Sequence, residues 1–295
     1  MQLVKADKFF QQAVSFLEGR APDGSPHERN LGKAEAIANE ILNNCIGNQQ
    51  TIYLLGSIAL AKGGYGLAIQ LLSQATAMKP DFGEAWNNLG LAWKNVPDFK
   101  KAELCMKQAI KFCPQDSLAD IWCNLAALNI NRNKPERALQ YTQKALEVDP
   151  NHDKAKWHRG LANLELRKWD VAWDDHETRL AGGAPGEIAH RNYHGPDSET
   201  REWDGKSPGA IVIHGEQGMG DEIMFASCIP DALKVEGASF ILEPSPRLEN
   251  LFARSFPTTK VYGTNDTDGR RWLGELGKPD YKIAIGSLPG FYRRS

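Results

Sequence analysis

The sequence predicts an α-solenoid of repeated helix pairs joined to a partial parallel α/β sheet, and three observations carry that prediction. Small and aromatic residues recur with a period of about 34 residues through the first half of the 295-residue chain. From residue 181 the composition turns to Gly, Pro and polar residues. From residue 210 short β-branched runs alternate with amphipathic stretches, which calls for strand–helix–strand units. The expected organisation is therefore a solenoid over 1–180, a linker over 181–209 and a partial α/β domain over 210–295.

The repeat is read by aligning units that open at Gln49, Gly83, Ala119 and Asp153. The second unit places Trp86, Leu89, Gly90, Trp93, Ala102, Ala109 and Pro114 at its key positions. The first supplies Leu55, Gly56, Ala68, Ala75 and Pro80, and the third Trp122, Leu125, Ala126, Ala138, Ala145 and Pro150. The fourth keeps Gly160 and Ala172 before the pattern degrades. Gly or Ala at the eighth and twentieth positions lets two helices approach closely, large residues fill the space between them, and the final Pro ends the second helix. This is the tetratricopeptide pattern. Ahead of Gln49, residues 3–18 and 31–45 read as the helices of an atypical capping unit, interrupted by an exposed loop over 19–30.

Composition narrows the function classes. A formal charge of −2 with 24% charged residues gives no electrostatic basis for wholesale nucleic-acid binding. No apolar run reaches the ~18–20 residues of a membrane span, and MQLVKADKFF lacks the apolar core of a secretion signal. Five scattered cysteines without a CxxC suit a reducing compartment, so a cytoplasmic location is expected. Cys105, Cys113 and Cys123 read as small apolar filler in helices. No metal site or cofactor is expected: His176 and Glu177 are adjacent and face different sides of a helix.

The sixth position of each unit points into the concave groove and holds Leu54, Asn88, Asn124 and His158. An Asn there can bond both the N–H and the C=O of an extended peptide. Asn88-Leu89-Gly90 and Asn124-Leu125-Ala126 resemble the Asn ladder in the tetratricopeptide arm of O-linked N-acetylglucosamine transferase. Asn before Leu-Gly also occurs in repeats of every function, so a purely architectural role stays open.

Beyond Leu180, Trp203-Asp204-Gly205 is expected to anchor the linker. Ala210 to His214 reads as a buried parallel strand. The Gly-rich turn HGEQGMGDE (214–222) follows, then an amphipathic helix through Ile223, Met224, Phe225, Ile229 and Leu233 that Pro230 kinks or ends. Further strands are expected over 239–242, 259–262 and 281–285, with a helix over 247–256, giving a Rossmann-like half. Such sheets place their chemistry at the turn after the first strand. Gly215, Gly218 and Gly220 lack Cβ atoms, so the backbone there is free to adopt positive φ and to approach a ligand. Substrate contact is expected along Gly215, Glu216, Gln217, Gly218, Met219 and Gly220. Asp221 has two readings: an N-cap that satisfies backbone donors, or a base that accepts a proton from a sugar hydroxyl. His214 reads as a satisfied structural histidine. The turn is neither GxGxxG nor GxxxxGK[ST], which argues against a Walker-type ATP site.

The runs Trp203-Asp204-Gly205, Ile211 to Ala226 and Ser287-Leu288-Pro289-Gly290 resemble bacterial and phage tetratricopeptide proteins fused to a glycosyltransferase domain similar to the lipopolysaccharide heptosyltransferases, which have two Rossmann-like halves in the GT-B arrangement. That resemblance implies the N-terminal, acceptor-side half of a sugar-transfer site, with the presumed general base at Asp221 after Gly220. A GT-B enzyme needs roughly another 120–180 residues for its nucleotide-sugar half, so this chain by itself is expected to lack the donor site. The partners to expect are a protein or peptide in the repeat groove, a sugar acceptor, and a second copy docked through the solenoid or a sheet edge. The alternative to sugar transfer is a non-catalytic protein–protein interaction scaffold.

Overall fold

Close helix approach through small residues builds the first part of the protein, described here from a computed structural model. The structure describes residues 2–21, 25–44, 48–182, 193, 199–264 and 272–295. Cys45 and most of the expected linker, 183–192 and 194–198, lie outside them. The helices run α1 (Gln2–Glu18), α2 (Leu31–Asn44), α3 (Gln49–Ala61), α4 (Tyr65–Met78), α5 (Gly83–Asn95), α6 (Phe99–Phe112), α7 (Leu118–Ile130), α8 (Pro135–Val148), α9 (Asp153–Glu165) and α10 (Trp169–His176). A Cβ on Gly56 would sit 2.8 Å from Leu72 Cγ, and one on Gly90 would sit 2.8 Å from Met106 Cγ, so each glycine is the point of contact within its helix pair. Ala68, Ala102, Ala138 and Ala172, at the twentieth position of four successive units, are fully buried. Residues 19–30 were expected to form an exposed loop. The described part of that stretch is folded back on itself, with Arg20 bridging Pro26 and His27 N donating to Gly19 O (2.9 Å), while residues 25–29 are exposed.

The chain divides into two compact units, Met1–His158 and Arg159–Ser295. The division falls inside α9, ahead of the residue 180 at which the repeat pattern fades. In the first unit the core is a series of clusters between neighbouring helix pairs, such as Leu54 with Ala38 and Ala13, and Met106 with Leu125 and Leu128.

The second unit is built on a small parallel sheet. Its strands are β1 (Arg201–Glu202), β2 (Gly209–His214), β3 (Ala238–Glu243), β4 (Lys260–Val261) and β5 (Tyr281–Ala284), in the order β1-β5-β2-β3-β4. All four pairings are parallel, with Val212 opposite both Ile241 and Lys282. β1 lies inside the stretch expected to be a linker. Between β2 and β3 the chain forms α11 (Met219–Phe225), a 3₁₀ turn and α12 (Ile229–Ala232), with Pro230 in the first turn of α12, where a missing N–H costs nothing. α13 (Glu249–Ser255) precedes β4, and α14 (Trp272–Leu276) and α15 (Pro289–Tyr292) flank β5. One face of the sheet buries Ile211, Ile213, Phe240, Leu242 and Ile283 together with Trp173 of α10 and Trp203; the other buries Val212, Ile241, Tyr193 and Trp272. Among the described residues no helix is long and apolar enough to cross a membrane, and no group of three His, Cys, Asp or Glu side chains could hold a metal ion.

Candidate functional site

The groove helices of the first unit are stitched together by their own polar side chains. Asn88 Nδ2 on α5 donates to Ser57 Oγ (3.0 Å) and to Tyr53 OH (3.3 Å) on α3. Asn124 Nδ2 on α7 donates to Asn87 Oδ1 on α5 (3.2 Å). His158 Nδ1 on α9 meets Cys123 Sγ on α7 (3.1 Å). In each case the sixth residue of one unit reaches back to the unit before it, whereas Leu54, at the same place in α3, is buried as core. Burial pushes the Cys123 thiol up to about 12 and the His158 imidazole down to about 4, with Lys94 adding to the latter. The thiol therefore donates to a neutral ring, and this pair is not an activated nucleophile. Both Asn residues are half-buried, and their Oδ1 atoms accept no hydrogen bond within the described residues.

The Gly-rich turn is organised by three carboxylates, each with an internal partner. Glu216 is buried against Arg179, which lies in the 3₁₀ turn Glu177–Ala181 that follows α10. Arg179 Nη2 donates to Glu216 Oε1 at 2.8 Å, and Nε lies 3.1 Å from both Glu216 oxygens. The same guanidinium donates to Ser287 Oγ (2.8 Å), Glu177 Oε1 (2.6 Å) and His176 O (3.1 Å), and its side chain is fully buried. Gly286 N adds a bond to Glu216 Oε1 (2.9 Å), and Ser287 Oγ donates to Glu177 Oε2 (2.8 Å). Burial raises the Glu216 carboxyl while the Arg179 charge opposes that rise. His176 Nδ1 lies 3.1 Å from Arg179 Nη1 and can only accept, so its ring is neutral; burial first and Arg179 second bring its pKa down to about 3.

Glu222 is buried and accepts from Ser245 N (2.9 Å) and Ser245 Oγ, tying the turn after β2 to the loop after β3. Asp221 Oδ2 accepts from Gly218 N (3.2 Å). Gly218 is therefore the N-cap residue of α11 and Asp221 its third helical residue, a correction to the N-cap expected at Asp221. The glycines also differ from expectation. None of Gly215, Gly218 and Gly220 has positive φ. Gly215 is small for a packing reason, because a Cβ there would lie 2.6 Å from the Glu222 carboxyl. Gly218, Met219 and Gly220 are exposed, Gln217 and Asp221 are half-buried, and the Glu216 carboxylate faces the interior. His214 is buried, with Nδ1 3.2 Å from Gly215 O.

The sequence reading missed Arg179, Glu177, Ser287 and Glu222. Arg179 carried one signal, a cation at the end of a repeat where the repeat itself has no use for it. The fully buried Glu243, which accepts from Tyr193 OH (2.5 Å) and Trp272 Nε1 (3.3 Å), had none.

Residues 53–117 and 119–152 match the tetratricopeptide repeat, so the helical part is a tetratricopeptide solenoid. The chain is 25% identical over 276 residues to Protein FlbA of Caulobacter vibrioides, covering 79% of this chain and 46% of that protein; it thus spans about half the length of that relative. It is 31% identical over 99 residues to Protein O-mannosyl-transferase TMTC3 of Homo sapiens, covering 33% of this chain and 11% of that protein. Among solved structures it is similar to that of Pseudomonas aeruginosa pilF, with a TM-score of 0.52 at 16% identity over 62% of this chain and 78% of the other, a likeness of fold. None of these matches identifies the α/β part as a glycosyltransferase domain, and the scaffold alternative fits them better than sugar transfer.

Proposed function

We propose that the protein is an interaction scaffold whose repeat groove holds an extended peptide from a protein partner. The free Oδ1 atoms of Asn88 and Asn124 carry this reading. Their amide hydrogens are held by the preceding helices, so the acceptors are fixed in direction before any ligand arrives, and a backbone N–H can bond them at little entropic cost. The test is display of random dodecamer peptides against the full chain. Peptides that bind the native chain and lose at least tenfold with Asn88→Ala and Asn124→Ala together, but not with Asp221→Ala, support the groove. Equal binding by both variants rejects it.

A second reading is that the α/β unit is the acceptor half of a GT-B sugar-transfer site, with Asp221 as base. It is favoured by the strand order, which counted from β2 reads three-two-one-four across β4, β3, β2 and β5, the order of a Rossmann half. Against it stands Arg179, which fills the crevice beyond the ends of β2 and β5 where such sheets bind ligands. Sugar transfer by a protein containing this chain that survives Asp221→Ala would end this reading.

A further inference from the structure

The first helix pair has a longer connection than its fold requires. Residues 62–64 join α3 to α4 and 96–98 join α5 to α6, whereas 19–30 join α1 to α2. Connections within helix bundles run to about 2–8 residues. The described part of 19–30 is pinned to α1. Asn30 N donates to Phe16 O (2.8 Å), Arg29 Nε donates to Leu17 O (3.2 Å), and the His27 ring lies 4.8 Å from the Phe16 ring. Held in this way, the connection walls a cavity of about 750 Å³ against one flank of α1. Lys8, Phe9, Gln11, Gln12 and Ser15 line it from α1, and Ala21 and His27 from the connection. Ala13, fully buried in one cluster with Ala34 and Ala38, matches the eighth residue of the later units, which makes Lys8 and Ser15 the third and tenth. In α3, α5 and α7 those positions hold Thr51 and Ile58, Ala85 and Ala92, and Ile121 and Leu128, all buried and none charged. In α1 an ammonium and a hydroxyl stand there instead, and both line the cavity.

We propose that this cavity is a binding site for a small organic anion that carries a planar ring, the chemistry of a mononucleotide. Its volume falls within the roughly 300–1,000 Å³ of small-molecule sites. Lys8 supplies a compact positive charge for a phosphate, and no described residue of the lining is acidic. Among the described residues no hydrogen bond engages the side chains of Lys8, Gln11, Gln12 or His27, so their polar groups are open to a ligand. Ser15 is buried, and its hydroxyl proton goes to Gln11 O (2.9 Å), which leaves its oxygen as an acceptor. Gln11 and Gln12 each offer a donor and an acceptor in one plane, as the edge of a heterocyclic ring requires. Phe9 is 40% exposed and gives such a ring an aromatic face to stack on.

The experiment is calorimetric titration of the full chain with AMP, GMP, CMP and UMP, with the corresponding nucleosides, and with inorganic phosphate. At least one mononucleotide is expected to bind saturably with a Kd of about 1 mM or below, and about tenfold more tightly than its nucleoside or phosphate alone. Lys8→Gln should weaken that mononucleotide about tenfold, the size of one charge-assisted hydrogen bond, and leave the nucleoside unchanged. Phe9→Ala should weaken both. Lys8 and Phe9 are exposed, so both variants are expected to fold, and thermal melting checks this. Asn88→Ala with Asn124→Ala alters α5 and α7 outside the lining and should leave mononucleotide binding as it is. Failure of all four mononucleotides to bind saturably would overturn the proposal. So would binding that Lys8→Gln and Phe9→Ala leave unchanged, or phosphate binding as tight as that of the mononucleotide.

Discussion

Arg179 shows at the scale of one residue how much of the α/β unit hangs on a single charge. Its guanidinium is enclosed by Glu216, Glu177, Ser287 and the His176 carbonyl, with no solvent to take over if it is lost. Arg179→Met should destabilise the second unit by about 3–5 kcal/mol, because Glu216 is left buried and unpaired. Adding Glu216→Gln should recover part of that loss, and chemical denaturation of the single and double variants measures both. His176 gives the unit an acid limit. Its folded pKa of about 3 lies below the unfolded value of about 6.5. Between those values only the unfolded chain binds the proton, so stability from this group is complete above about pH 6.5 and falls as the pH drops, by up to about 1.4 kcal/mol per unit. His176→Asn keeps an acceptor near Arg179 and should flatten that part of the stability profile between pH 6.5 and 4.

At the scale of elements, the helix-to-helix turns repeat as regularly as the helices. Gly63, Asn133 and Arg167, each fifteenth in its unit, all have positive φ, at 78°, 52° and 59°. Glycine occupies this conformation freely, Asn tolerates it, and Arg is strained in it. Arg167→Gly should therefore stabilise the protein by up to about 1 kcal/mol, read as a rise in melting temperature. The repeats were legible because close approach demands Gly or Ala at fixed intervals, and Gly56, Gly90, Ala68 and Ala102 cannot be replaced without a clash or a cavity. β2, β3 and β5 were legible as apolar runs between breakers. β1 was not, because two exposed polar residues, Arg201 and Glu202, at a sheet edge have no hydrophobic pattern to show. The turn at 214–222 was located by its glycines but its logic was not. Asp221 has a local partner in Gly218, but Glu216 and Glu222 are explained by Arg179, Gly286 and Ser245, which lie far away in sequence, and local spacing carries no trace of such partners.

At the scale of the whole molecule, the second unit begins within α9, before the repeat pattern has ended. α10 contributes Trp173 to the core of the sheet unit, Trp173 Nε1 donates to Arg293 O (2.8 Å), and Arg159 pairs with Asp175 (2.6 Å). A fragment cut at the compositional boundary, 181–295, loses all of these and Arg179 besides. It should lack dispersed amide NMR signals, whereas 153–295 should show them; a well-folded 181–295 would disprove the dependence. The ladder along the groove has a last consequence for how the first unit unfolds. Stacked repeats behave as a chain of neighbours whose cooperativity lives in the junctions, and here Asn88, Asn124 and His158 form junctions, of which Asn88 and Asn124 are also the proposed binding surface. A ligand that uses only the idle oxygens would leave the junctions intact and sharpen the unfolding transition. One that steals the amide hydrogens would loosen the stack it sits on, broadening the transition even as it binds.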